Sequence, residues 1–220
     1  MGLFVNPILK DENVLQREAW FLIGVLVASE ALMAFVLAGG ERMVPGFSSR
    51  FSVLYTYTIT DLLVLAYCVK RFGPIQLVEL LPRRGDWIVL GLAGLTIFFY
   101  FGLTVGRGGM SSEMYDAIRD LPKLWYWVSV VNVIGIGPFL EEAIFRRYFL
   151  EILRHHYPKT IAILITASIS IWFHWGLSIP GLVFIFIVQI LFGVVYVTSR
   201  FGASVMAHAF LNCLVFLLSK

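Results

Sequence analysis

The chain has 220 residues, of which 59% are hydrophobic, 15% aromatic and 14% charged, with a mean hydropathy of +0.84. A water-soluble domain carries about 25% charged residues, so this composition excludes one and points to an all-α, multi-pass membrane protein folded as one transmembrane helical bundle. The 17 basic and 14 acidic residues leave a net charge of +3 with no basic run, which argues against nucleic acid as a partner and leaves membrane lipids as the surroundings.

The first 19 residues include Lys10, Asp11, Glu12, Arg17 and Glu18, too polar for the apolar region of a cleavable signal peptide, so the first apolar stretch reads as a retained span. Seven spans are expected, near 20–38, 51–69, 87–105, 125–145, 160–178, 181–199 and 202–218, each roughly 20 residues long as a bilayer requires. Segments 74–81 and 112–121 read as short amphipathic helices at the interface. With the N-terminus cytoplasmic, eleven of the 17 Lys and Arg residues fall on the inner side, the bias that orients membrane proteins. Residues 1–124 supply the N-terminal helices and interfacial segments, and 125–220 the helices with the chemistry, in one inseparable bundle. Cys68 and Cys213 lie in apolar runs and read as buried thiols.

Within the fourth span, Gly137-Pro138-Phe-Leu-Glu141-Glu142-Ala-Ile-Phe-Arg146 sets two carboxylates and an arginine among apolar residues. Charges at membrane depth cost several kcal/mol, so they read as a functional site facing the protein interior. Pro138 removes a helix donor and suits a first turn, so a break is expected there, with Glu141 in the opening turn of a restarted helix, near its free N–H groups. Glu142 and Arg146 are four apart and share a face as an ion pair, while Glu141 is turned away by about 100°.

The other polar groups fall on later spans. His174 lies in or at the end of the fifth, and His208 and Asn212 share one face of the seventh. His155 and His156 follow Arg154 in a loop and read as solvated. Glu30, Asp61 and Asn132 read as hydrogen-bonding partners between helices, and the 106–109 loop as no phosphate cradle. A glutamate beside a histidine can hold a water and take its proton as the oxygen attacks a carbonyl, while His208 and Asn212 donate to the oxyanion. Two histidines and a glutamate also form a catalytic zinc set, but no His-Glu-x-x-His spacing favours zinc.

The ordered set Glu141-Glu142-x-x-x-Arg146, His174, and His208-x-x-x-Asn212 preceded by Arg200-Phe-Gly-Ala-Ser204 resembles the CPBP (CAAX protease and bacteriocin-processing, or Abi) family of intramembrane endopeptidases, related to the type II CAAX prenyl endopeptidase. The resemblance covers roughly residues 125–218. It implies Glu141 as the base that activates water, His174 as its partner, His208 and Asn212 as oxyanion donors, and Glu142 and Arg146 as structural support. It implies no cofactor, or zinc held by Glu141, His174 and His208, since members have been described both ways. The substrate would be a lipid-associated or membrane-inserted protein or peptide, and the location a plasma membrane if the source is bacterial. The alternatives are a non-catalytic scaffold or bacteriocin-immunity protein of the same fold, and a transporter with a proton relay. One departure is Ser170, where the family usually has phenylalanine four residues before the histidine; here Phe173 directly precedes His174.

Overall fold

The computed structural model describes residues 12–43, 49–105, 118–174 and 178–218. Eight helices are named here: α1 Glu12–Met43, α2 Ser49–Phe72, α3 Leu77–Leu80, α4 Asp86–Val105, α5 Lys123–His156, α6 Lys159–Trp172, α7 Ile179–Thr198 and α8 Phe201–Leu218. Each of the seven expected spans falls on one of them. The side chain of Glu30, the loop 106–109 and the part of the second interfacial segment over 112–117 lie outside the described residues.

Among the described residues two helices, α5 and α7, are both long and apolar enough to cross a membrane. The apolar lengths Asp86–Phe99, Lys159–Trp172 and Phe201–Leu217 in α4, α6 and α8 are shorter. At 1.5 Å per residue the 14 residues of α6 reach about 21 Å, below a hydrocarbon core of about 30 Å. By length and composition, two helices among the described residues are able to cross a membrane, and the seven expected spans are not all shown.

The break expected at Pro138 does not occur. From Lys123 to His156 the backbone stays helical, with π-helical turns over Asn132–Ile136 and Ala143–Leu150. The Gly137 N–H bonds the Asn132 carbonyl five residues back, so Glu141 does not sit at a helix start with free N–H groups. Proline is tolerated because the wider turn shifts the hydrogen-bond ladder by one. A carbonyl is orphaned in exchange: Val133, whose five-residue partner would be Pro138. Asn212 Nδ2 donates to it at 2.8 Å.

The helices pack as a bundle around α5. Its second half lies against α2 and α6, while α7 contacts both α6 and α8. Gly193 lets α6 and α7 approach closely, since a Cβ there would meet Ile163 Cγ2 at 2.9 Å. One core joins Leu22 and Leu26 of α1 and Val64 and Cys68 of α2 with Ile144, Phe149 and Leu150 of α5. A second joins Ile97 of α4, Val133 of α5, Phe184, Val188 and Phe192 of α7 and Leu211 and Val215 of α8. The thiols of Cys68, buried, and Cys213, half-buried, are both free.

Polar ties fix the remaining elements. Glu18 of α1 accepts from Tyr67 at 2.7 Å and from Arg71 at 2.6 and 2.9 Å, both on α2. Asn132 Nδ2 donates to Thr58 of α2 at 2.9 Å, the interhelical role expected of it. Asp61 is half-buried on the same helix. The segment before and through α3 is strapped beneath the bundle: Tyr148 donates to the Gly73 carbonyl at 2.9 Å and Arg147 Nε to Glu79 at 2.5 Å. Arg200 Nη1 holds the Val78 and Leu81 carbonyls at 2.5 and 3.1 Å. Leu77, Val78 and Leu81 remain exposed, as an interfacial segment over 74–81 requires. His155 and His156 belong to the last turn of α5 rather than to a loop, beside Arg154, where cations suit the negative end of the helix dipole.

Candidate active site

Glu141 and Glu142 lie in the stretch of α5 between its two π-helical turns, and their environments differ. Glu142 is fully buried and Arg146 likewise. Arg146 Nε stands 3.4 Å from Glu142 Oε2, the pair expected from the four-residue spacing. Glu141 has about a third of its side chain exposed, and its Oε2 lies 3.9 Å from Nε2 of His208. That distance is too long for a direct hydrogen bond.

His208 is buried on α8. Its Nδ1 is 3.0 Å from Glu142 Oε1, and its ring stacks on Phe192 of α7 with centroids 4.7 Å apart and planes at 22°. Ser204, one turn earlier, donates to Glu142 Oε2. This gives the Arg200-Phe-Gly-Ala-Ser204 run a local meaning: Arg200 anchors α3, Gly202 fits against Leu80, and Ser204 reaches the buried carboxylate.

Gln189 of α7 is a site residue that the sequence reading did not single out. Its side-chain oxygen accepts from Arg146 Nη2, and its carbonyl accepts from the same nitrogen at 3.0 Å. Gln189 is a buried amide in a helix of otherwise apolar middle, and that polarity was the available signal.

The structure does not bring His174 into direct contact with the others. It sits in the turn after α6, and its Nδ1 donates to the Ser170 carbonyl at 3.0 Å. No hydrogen bond or ion pair among the described residues joins it to Glu141, His208 or Asn212. Its neighbour Phe173 packs edge-on against Phe145 of α5, four residues past Glu141, with ring centroids 5.4 Å apart. Ser170, in the place where phenylalanine was usual, is buried and donates to the Ala167 carbonyl at 3.0 Å.

Asn212 lies one turn beyond His208 and spends one amide proton on Val133; the second is available to a ligand. Among the described residues no three His, Cys, Asp or Glu side chains stand close enough together to hold a metal ion. Glu141, His174 and His208 are not drawn together as a three-ligand group among the described residues.

A partly exposed carboxylate beside a buried imidazole, with amide donors on the same helix, is equipped for proton transfer to and from an attacked carbonyl. Residues 123–214 match the family model described as Type II CAAX prenyl endopeptidase Rce1-like. This agrees with the motif resemblance and takes in Glu141, Glu142, Arg146, His174, His208 and Asn212. No curated protein and no solved structure matches the chain.

Proposed function

We propose, with the Rce1-like match as premise, that the protein is a multi-pass intramembrane endopeptidase. It hydrolyses a peptide bond near the membrane surface in a lipid-associated or membrane-inserted protein or peptide. The observation that carries this reading is the 3.9 Å approach of Glu141 Oε2 to His208 Nε2, between a solvent-accessible carboxylate and a buried ring.

In this mechanism Glu141 takes a proton from a water whose oxygen attacks the scissile carbonyl carbon, and His174 helps to orient that water. The carbonyl oxygen becomes an oxyanion and receives hydrogen bonds from the second Asn212 amide proton and from Nε2–H of a His208 imidazolium whose Nδ1–H is held by Glu142. Each such donor is worth about 3 kcal/mol in the transition state. Collapse of the intermediate breaks the C–N bond, and Glu141 returns its proton to the leaving amine. The N-terminus is taken as cytoplasmic, which puts Arg147, Arg154 and Arg200 near the inner headgroups.

The test is hydrolysis of a fluorogenic lipidated peptide, and of its unlipidated counterpart, by purified protein in detergent, with and without chelator. Glu141→Gln should abolish product formation while expression and elution volume stay unchanged. Turnover that survives Glu141→Gln would overturn the reading and favour a scaffold, and loss in chelator would restore the zinc alternative.

A further inference from the structure

The carboxylate of Glu142 does more than neutralise Arg146. Arg146 Nε has no hydrogen-bond partner despite standing near Oε2, and Nη2 of the guanidinium is engaged by Gln189. The hydrogen bonds of Glu142 go elsewhere: Oε2 accepts from Ser204, and Oε1 faces His208 Nδ1 at 3.0 Å. A carboxylate held next to an arginine is an acceptor only, so the proton between Glu142 and His208 sits on Nδ1. Because Glu142 is fully buried, bulk water does not compete for that bond. Phe192 fixes the plane of the imidazole. With Nδ1 pinned and the plane set, Nε2 is the nitrogen turned toward Glu141.

We propose that Glu142, steadied by Ser204, is the positioning residue of the site: it accepts Nδ1–H of His208, fixes the ring and aims Nε2 toward Glu141. The purpose of that aim rests on the endopeptidase reading, whereas the Nδ1 proton and the ring orientation do not. Without the acceptor the ring loses the countercharge of its doubly protonated form and can turn over, which presents a carbon or the wrong nitrogen to the reacting oxygen.

The experiment uses full-length protein in detergent micelles with 15N-labelled histidine. The chain has 4 histidines, so the His208 signals are identified by their loss in His208→Asn. In the wild type His208 Nδ1 should carry a proton at neutral pH. Because Glu142→Gln alone strands the buried Arg146 charge and risks misfolding, the informative variant is Glu142→Met with Arg146→Met, which removes both charges together. It should keep its helical content and elution volume but lose the Nδ1-protonated signature. On the fluorogenic peptide, kcat should fall about 10²-fold or more, as for a lost oxyanion donor, with KM little changed. Ser204→Ala should keep the Nδ1 proton and show a smaller fall in kcat.

A wild-type His208 with a bare Nδ1 would overturn the proposal. So would a folded double variant with unchanged His208 signals and turnover, which would leave Glu142 as a countercharge to Arg146 only. If the signals behave as expected but the wild type cleaves neither peptide, the positioning role stands and the endopeptidase reading fails.

Discussion

Asn212 donates to the carbonyl of Val133, an acceptor that Pro138 leaves without a helical partner. The proline, the π-helical turn before it and the asparagine are therefore one structural unit. It lets α5 pass through Pro138 unbroken and staples α8 to α5 one turn from His208. A site residue picked out for its chemistry thus also repairs the backbone that presents Glu141.

This unit predicts a specific pattern of coupling. Asn212→Ala buries an unpaired carbonyl, at a cost of about 1–3 kcal/mol. Pro138→Ala supplies an N–H at the position that can bond the Val133 carbonyl in the π-helical pattern. The double variant Asn212→Ala/Pro138→Ala should therefore be more stable than the sum of the two single changes implies. Thermal unfolding in detergent, run as a double-mutant cycle, checks it. Strict additivity would mean that the two residues do not share the carbonyl.

A second expectation concerns acid stability at the far side of the bundle. Burial pushes the Glu18 carboxyl up, but hydrogen bonds from Arg71 and Tyr67 and the charge of Arg71 outweigh it and hold the group below its ordinary value. A carboxyl depressed in the folded state contributes stability that is fully present above the unfolded value, near 4.3, and lost as pH falls through the folded one. The melting temperature of the wild type should therefore fall as pH drops below about 4.3. In Glu18→Gln it should be lower near neutrality and less dependent on pH in that window. Parallel curves for the two proteins would remove Glu18 from the acid response.

Much of the helix layout was legible in the sequence because apolar runs are bounded by Gly, Pro and charge. The pairing of Glu142 with Arg146, and the shared face of His208 and Asn212, followed from four-residue spacing. The π-helical turns were not legible, since apolar patterning does not separate a four-residue from a five-residue hydrogen-bond ladder over one or two turns. The uninterrupted passage through Pro138 depends on Asn212, far along the chain, so local reading put a break there. The role of Glu18 was not legible, because its partners Tyr67 and Arg71 lie on another helix. His174 could be placed on the right helix end, but nothing in the sequence indicated that its Nδ1 would turn back to Ser170.

The α3 strap should respond to its glycine contact. A Cβ on Gly202 would sit 2.0 Å from the Leu80 oxygen and 2.5 Å from its carbonyl carbon, backbone atoms that no rotamer change can move. Gly202→Ala must therefore push α3 away from the start of α8, at an overpacking cost of about 1–3 kcal/mol. Arg83 and Arg84 are exposed just after α3, so trypsin should cut there faster in Gly202→Ala than in the wild type, well below the melting temperature. Equal cutting rates would show that α3 does not depend on this contact.

The buried arginine sets an order of effects among its partners. Arg146→Met leaves Glu142 buried without a countercharge, and breaking such a pair costs about 3–5 kcal/mol. Gln189→Leu removes only a hydrogen bond to a charged group, worth about 1.5–3 kcal/mol, because the Gln189 backbone carbonyl still accepts from Nη2 at 3.0 Å. Arg146→Met should thus unfold at a lower temperature than Gln189→Leu, and the Arg146→Met/Gln189→Leu double variant should lose less than the sum, since no guanidinium remains for Gln189 to serve. Arg146→Lys should not rescue fully, because an ammonium lacks the planar fork that reaches Gln189 while facing Glu142. If Gln189→Leu proved the more damaging change, the glutamine rather than the carboxylate would be the principal partner of Arg146, and the charge pair would be secondary to the link between α5 and α7.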